Sequence, residues 1–215
     1  MIFKIKQTKT NFSLQWVVTK GDDLICVVDA PYKGYFDATI TFSDGAKYRM
    51  YCNPSDTTFG KRLEDRLSFR VFDTSNNLIG VFVGRTKKTG KLFGGYVYYE
   101  LNFCNRQYIG YEIGRASQGI ALCLYYNDKL LSICDKNTHV VNFQDDYNIY
   151  CENFDDIYMS TLFTIYYDMA KFPDMREIKL YSQVETYMVT ANKELKSKYD
   201  PEFIPRIKAM EGKTD

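Results

Sequence analysis

Arg85, Lys87, Lys88 and Lys91 place four cations within seven residues, in the segment R-T-K-K-T-G-K-L. On a loop joining two strands, such a cluster can hold an anionic lipid head group, each cation contributing about 1 kcal/mol near a charged membrane. The plain alternative is a solvated hairpin loop. Arg115 joins the set, because it ends the second copy of a short repeat. Ile79-Gly80-Val81-Phe82-Val83-Gly84-Arg85 returns thirty residues later as Ile109-Gly110-Tyr111-Glu112-Ile113-Gly114-Arg115, identical at four of seven positions. Arg85, Lys87, Lys88, Lys91 and Arg115 are thus the candidate head-group residues.

Catalytic chemistry finds little to work with. A Ser-His-Asp or Cys-His system needs the single histidine, His139, and Lys136-Asn137-Thr138-His139-Val140-Val141 reads as a turn entering a strand. The pairs Asp145-Asp146 and Asp155-Asp156 lack an EF-hand pattern; the first reads as a strand cap and the second as a helix start. Gly84 to Lys91 is followed by Leu92 where a P-loop needs Ser or Thr. No residue pattern couples an activated nucleophile to a base, so neither enzymatic activity nor a cofactor is expected.

Six cysteines (Cys26, Cys52, Cys104, Cys123, Cys134, Cys151) stand at least eleven residues apart, without the close pairs of a zinc site. Most fall in apolar, strand-like runs, as reduced buried thiols do, which points to the cytoplasm. The start, Met1-Ile2-Phe3-Lys4-Ile5-Lys6, has no apolar core of a secretory signal. With 28 Lys plus Arg against 27 Asp plus Glu, the chain offers no basis for nucleic-acid binding by counterion release.

The elements that must position these residues are mainly strands. Tyr and Phe, at 19 and 15, favour pleated, half-buried surfaces. Period-two alternation runs through Phe12, Leu14, Trp16 and Val18, through Leu67, Phe69 and Val71, and through Val97, Tyr99, Leu101 and Phe103. Turn signals at Gly21-Asp22-Asp23, Ser43-Asp44-Gly45, Asp73 to Asn77 and Asn127-Asp128 divide residues 1–153 into about a dozen such runs, the spacing of a sandwich or barrel.

From Asp155 the pattern changes. Ile157, Met159, Leu162, Phe163, Ile165, Tyr166, Tyr167 and Met169 cover nearly the whole circumference of a helix that Pro173 ends. A helix apolar all round is buried on all sides. Its uncharged run, Ile157 to Tyr167, is eleven residues, short of the ~20 that a membrane span needs. Beyond it, Arg176 to Tyr199 reads as an amphipathic helix with a stripe of Ile178, Tyr181, Val184, Tyr187, Met188, Ala191 and Leu195 and a Glu194–Lys198 pair. Pro205 interrupts any continuation.

About a dozen strands followed by one wholly apolar helix require a closed wall around that helix. The layout resembles the tubby C-terminal-like fold shared by tubby domains, scramblases and LURP-one-related proteins, and is most similar to its small bacterial members. The residues that carry the likeness are Asn127-Asp128-Lys129-Leu130-Leu131-Ser132-Ile133-Cys134-Asp135-Lys136, a hairpin turn and a lysine-ended strand. Asp145-Asp146-Tyr147-Asn148-Ile149-Tyr150 follows, then the helix. The resemblance implies a mainly β fold: a closed antiparallel barrel of about twelve strands, residues 1–172, around a central helix, 156–172. Residues 173–215 form a helical appendage carrying the C-terminal amphipathic helix. Tyrosines 158, 166 and 167, unusual for the family's helix, require hydroxyl partners inside the barrel or at its mouth.

A plugged barrel implies a non-enzymatic binding or scaffold domain, engaging anionic phospholipid at the membrane periphery through the basic loop. The alternatives are a protein-interaction or homodimer module acting through 176–199, and a hydrophobic-ligand carrier with the helix packed outside an empty barrel.

Overall fold

The structure, a computed structural model, describes residues 1–9, 13–31, 35–53, 68–88, 95–141, 144–171, 183–185 and 187–212. Phe12, Leu67, Lys91, Ile178 and Tyr181 lie outside them.

Eleven strands follow one another as a meander: β1 (Ile2–Lys9), β2 (Ser13–Lys20), β3 (Asp23–Pro31), β4 (Phe36–Phe42), β5 (Lys47–Cys52), β6 (Phe69–Phe72), β7 (Leu78–Lys87), β8 (Tyr96–Phe103), β9 (Arg106–Ala116), β10 (Ile120–Tyr126) and β11 (Lys129–Lys136). β12 (His139–Val141) steps outside the ring. β13 (Asp146–Cys151) then pairs with both β11 and β1 and closes a twelve-stranded antiparallel barrel. Closure leaves no full edge strand among the twelve; the overhang of β9 past its pairing with β8 is where Met188–Val189 adds.

The expected alternation orients the wall. Leu14, Trp16 and Val18 face the lumen, as do Phe69 and Val71, and Tyr99, Leu101 and Phe103. The turn at Asn127-Asp128 takes positive φ at both residues, 48° and 59°, as a two-residue hairpin requires. Cys104-Asn105 does the same at 48° and 60°, a turn whose sequence carries no glycine to announce it.

A ring of twelve strands is too wide for its own side chains to fill, since about eight suffice for that. Helix α1 (Asp156–Lys171) occupies the space; all but Asp156, Tyr158 and Lys171 are buried. It meets wall in every direction. Trp16 of β2 reaches Asp168, Phe69 of β6 and Phe82 of β7 meet Tyr166 edge-on, Tyr99 of β8 lies against Phe163, and Ser132 of β11 bonds Ser160 at 2.6 Å. A helix on the outer flank, as a carrier barrel would have it, is excluded by these contacts.

The wall gives way where the helix is bulkiest. Gly84 and Gly110, from the two repeat copies, both pair with Tyr99, so the copies lie two strands apart and offset by four residues. Tyr158 donates to Asp44 at the mouth, Gly84 N–H serves Tyr166, and Tyr167 lies beside Glu112.

The C-terminal segment departs from expectation. No single helix spans its described part. β14 (Gln183–Glu185) pairs with β12, and β15 (Met188–Val189) pairs with β9 past the start of β8. Among the described residues of this stretch, Lys193–Lys196 (α2) alone is helical before Tyr199. Val184, Val189 and Thr190 are β-branched, and two neighbouring strands offered unpaired edges, so tertiary pairing overrode a 3–4 spacing. The C-terminal helix is α3 (Phe203–Glu211), and Pro205 opens it rather than stopping it, because first-turn N–H groups have no intrahelical acceptor. Leu195, Phe203, Ile204 and Ile207 form a second core with Ile113, Cys123, Ile133 and Tyr150 on the outer wall.

Candidate functional site

The meander's parity gives the barrel two unlike ends. One carries the tight turns at 21–22, 43–46, 73–77, 104–105 and 127–128, together with the entry to α1. The other carries the remaining connections and receives the C-terminus of α1. Of the predicted head-group residues, Arg85, Lys87, Lys88 and Arg115 belong to this second end.

Arg85 and Lys87 lie on the last turns of β7, exposed, with Lys88 following them. The Arg85 guanidinium meets Glu100 at 2.9 Å, and Lys87 meets Glu194 at 2.5 Å, with Tyr96 bonding the same carboxylate at 3.0 Å. Glu194 thus faces Lys87 rather than Lys198, whose ammonium lies 5.4 Å from the centre of the Tyr111 ring. Arg115 is a different kind of residue. Its side chain is 10% exposed, paired with Asp135, bonded to Gln118 O at 2.7 Å and to Tyr199 OH at 3.1 Å. It ties β9 to β11 and to the tail. Lys91 lies outside the described residues.

The chemistry missed by sequence reasoning is buried at the same end. Period two puts Lys136 in phase with Ser132 and Cys134, facing the lumen. Its ammonium, 2% exposed, contacts the carboxylate of Asp145 and stands 3.9 Å from Asp168 Oδ1. Asp145 is therefore no simple strand cap; its side chain is 3% exposed, and its backbone N–H donates to Gln7 Oε1 at 3.0 Å. Lys136 Nζ donates to Tyr147 OH at 3.2 Å, Tyr147 OH donates to Asp168, and Trp16 Nε1 donates to the other Asp168 oxygen at 3.0 Å.

One ammonium faces two carboxyl groups here. Burial, and then the Asp145 carboxylate, hold Asp168 well above the usual carboxylate range, against the opposing pull of Lys136 and Tyr147. Burial, and then Asp168, push the Tyr147 phenol up as well. A second buried charge, Glu112, accepts from Tyr99 OH at 3.0 Å and pairs with Lys171 in the last turn of α1, where a cation suits the helix dipole. Three signals could have located these residues: charges in lumen phase on β9 and β11, the Asp-x-Tyr at 145–147, and one aspartate within an otherwise apolar helix.

His139 begins β12 and takes a backbone bond from its N–H to Asn137 Oδ1 at 3.2 Å, in the turn-to-strand position expected. Asp156 starts α1, with Asn153 Nδ2 donating to its carboxylate at 3.1 Å. Five cysteines are buried, Cys104 is exposed, and none forms a disulfide. Burial raises the Cys26 and Cys151 thiols to about 12, so they are inert at neutral pH. No group of metal-ligating side chains occurs among the described residues. Comparison of the chain with protein-family models, with curated proteins and with solved structures finds no match.

Proposed function

We propose that the chain is a non-enzymatic binding or scaffold domain that meets anionic phospholipid head groups through the basic rim at 85–91. The observation that carries the first part is the occupied lumen. Phe163, Ile165, Tyr166 and Tyr167 fill the space in which a carrier would hold its cargo, so binding is left to the outer surface.

For the rim, the ion pairs decide which cations take part. Arg85 and Lys87 are about half exposed, and exposed pairs are worth ~0–1 kcal/mol, so a phosphate can replace Glu100 or Glu194 at small cost. The Arg115 pair is much more enclosed and would leave Asp135 uncompensated. The binding set thus narrows to Arg85, Lys87, Lys88 and Lys91, with Arg115 as a brace. The alternative of a protein partner or homodimer through 176–199 finds less support, because Leu195 is spent on the chain's own wall.

Co-sedimentation with phosphatidylcholine vesicles, with and without phosphatidylserine, tests the reading. Binding should require phosphatidylserine, fall as salt rises, and be lost in Lys87→Glu/Lys88→Glu. Failure to bind at low salt, or binding indifferent to that double substitution, would refute the lipid assignment.

A further inference from the structure

We propose that Lys136 and Asp145 condense with each other, forming an intramolecular amide between Lys136 Nζ and Asp145 Cγ that joins the end of β11 to the start of β13. The geometry supplies each participant. The amine and the carboxyl group are in contact and almost fully removed from water. Asp168, 1% exposed and 3.9 Å from Nζ, is the adjacent acid. Trp16 Nε1 and Tyr147 OH bond one oxygen each of Asp168 and fix its plane.

In water an ammonium and a carboxylate do not react, because the amine has no free electron pair. In a site closed to water a proton can move only between the groups of the cluster. A proton passed from Lys136 to Asp145 leaves the Nζ lone pair beside Cγ, held there by the wall instead of meeting it by diffusion. The Nζ–Cγ bond forms, and Asp168 donates its proton to the departing oxygen. That oxygen breaks from Cγ and leaves as water, and Asp168 recovers a proton from the nitrogen. The sum is one ammonium and one carboxylate converted to one amide and one water, with no external reagent. Asp168 ends as it began. The raised proton affinity of Asp168 fits this role, since an ionised acid could not donate. The product also removes two buried charges, while the amide N–H keeps Tyr147 OH, 3.2 Å from Nζ, as its acceptor.

Denaturing intact-mass spectrometry of the full-length protein reads the reaction directly. The expected mass is that of the sequence less one water, and a protease digest should yield a branched species joining the peptides that contain Lys136 and Asp145. Lys136→Arg and Asp145→Ala should restore the full sequence mass, and Asp168→Asn should restore it or slow the loss at least tenfold. A folded wild type that keeps its full mass after prolonged incubation overturns the proposal, whatever the variants do. So does a water loss that survives Lys136→Arg. An unchanged rate in Asp168→Asn would overturn the role of the acid.

Discussion

Gly110→Ala separates a barrel filled by its helix from one that is not, because the two cases differ in sign. A Cβ at Gly110 would stand 2.4, 2.7 and 2.9 Å from three ring carbons of Phe163 on α1. Carbon atoms prefer about 3.5–4.0 Å, so ring or wall must move by roughly 1 Å. Phe163 has little room, because Tyr99 stands against it with ring centroids 5.5 Å apart. Such overpacking costs about 1–3 kcal/mol. Without that contact the substitution would stabilise the fold by about 0.4–1 kcal/mol, by restricting the unfolded chain. The expected net loss is about 1–2 kcal/mol, or a few degrees in Tm. Urea denaturation provides the measurement. Phe163→Leu, which removes the offending ring atoms, should make the double variant less destabilised than the sum of the singles. A Gly110→Ala protein as stable as wild type, or more so, would show that α1 does not seat against β9, and the filled-lumen argument would fail with it.

Asp168 should impose a pH dependence. Burial raises its folded pKa above the ordinary 3.8, so between the two values the native state holds a proton that the unfolded chain has released. Its contribution to stability is complete below pH 3.8 and is lost as pH rises towards the folded value. The stability of wild type minus that of Asp168→Asn should therefore fall from pH 4 upwards in urea titrations (~pH 4 to 7 spans the informative range). A cross-link adds only a constant offset, so a flat or rising difference would refute the assignment. Phe203 is 1% exposed beneath α3 on the outer wall. Phe203→Ala should cost up to about 3–5 kcal/mol, limited by the docking energy of the tail, which would release instead of unfolding the barrel. Limited proteolysis should then cut within 197–212 while residues 1–171 persist; cleavage at the wild-type rate would contradict the packing.

The barrel was legible because its signals are local. Alternation at 14–18, 69–71 and 97–103, turn residues at 44–45 and 127–128, and a helix apolar on every face each declare themselves within a few residues. Closure follows from that last feature, since only a surrounding wall buries a full circumference. The tail was misread for the opposite reason: whether 183–189 is strand or helix depends on the open edges of β9 and β12, which no window of the tail contains. The buried cluster required long-range pairing too. Lys136, Asp145 and Asp168 meet only when β11, β13 and the last turn of α1 are brought to the same end, and Trp16 arrives from β2. Charges on the rim were conspicuous as a run of Lys, yet most of those described face carboxylates in the fold.

The placement of Asp168 argues that this cluster is more than a fastener. When ionised, a carboxyl group in the last turn of a helix opposes the dipole, by about 0.3–1 kcal/mol, and a buried one must also be desolvated, so the position favours the protonated form. Trp16, Tyr147 and Lys136 spend their polar groups on offsetting that penalty. Apolar side chains at 16, 147 and 168 together would secure α1 with none of these costs, as apolar replacement of a whole buried polar cluster commonly does. Glu112 and Lys171 offer no parallel, because there the helix residue is the cation that the dipole favours. Fastening the helix therefore accounts for the second pair and leaves the first unexplained. A carboxyl group whose proton affinity burial raises, beside an amine and a second carboxyl group, is what a condensation between them requires, and that chemistry gives Asp168 a reason to be where packing alone would not put it.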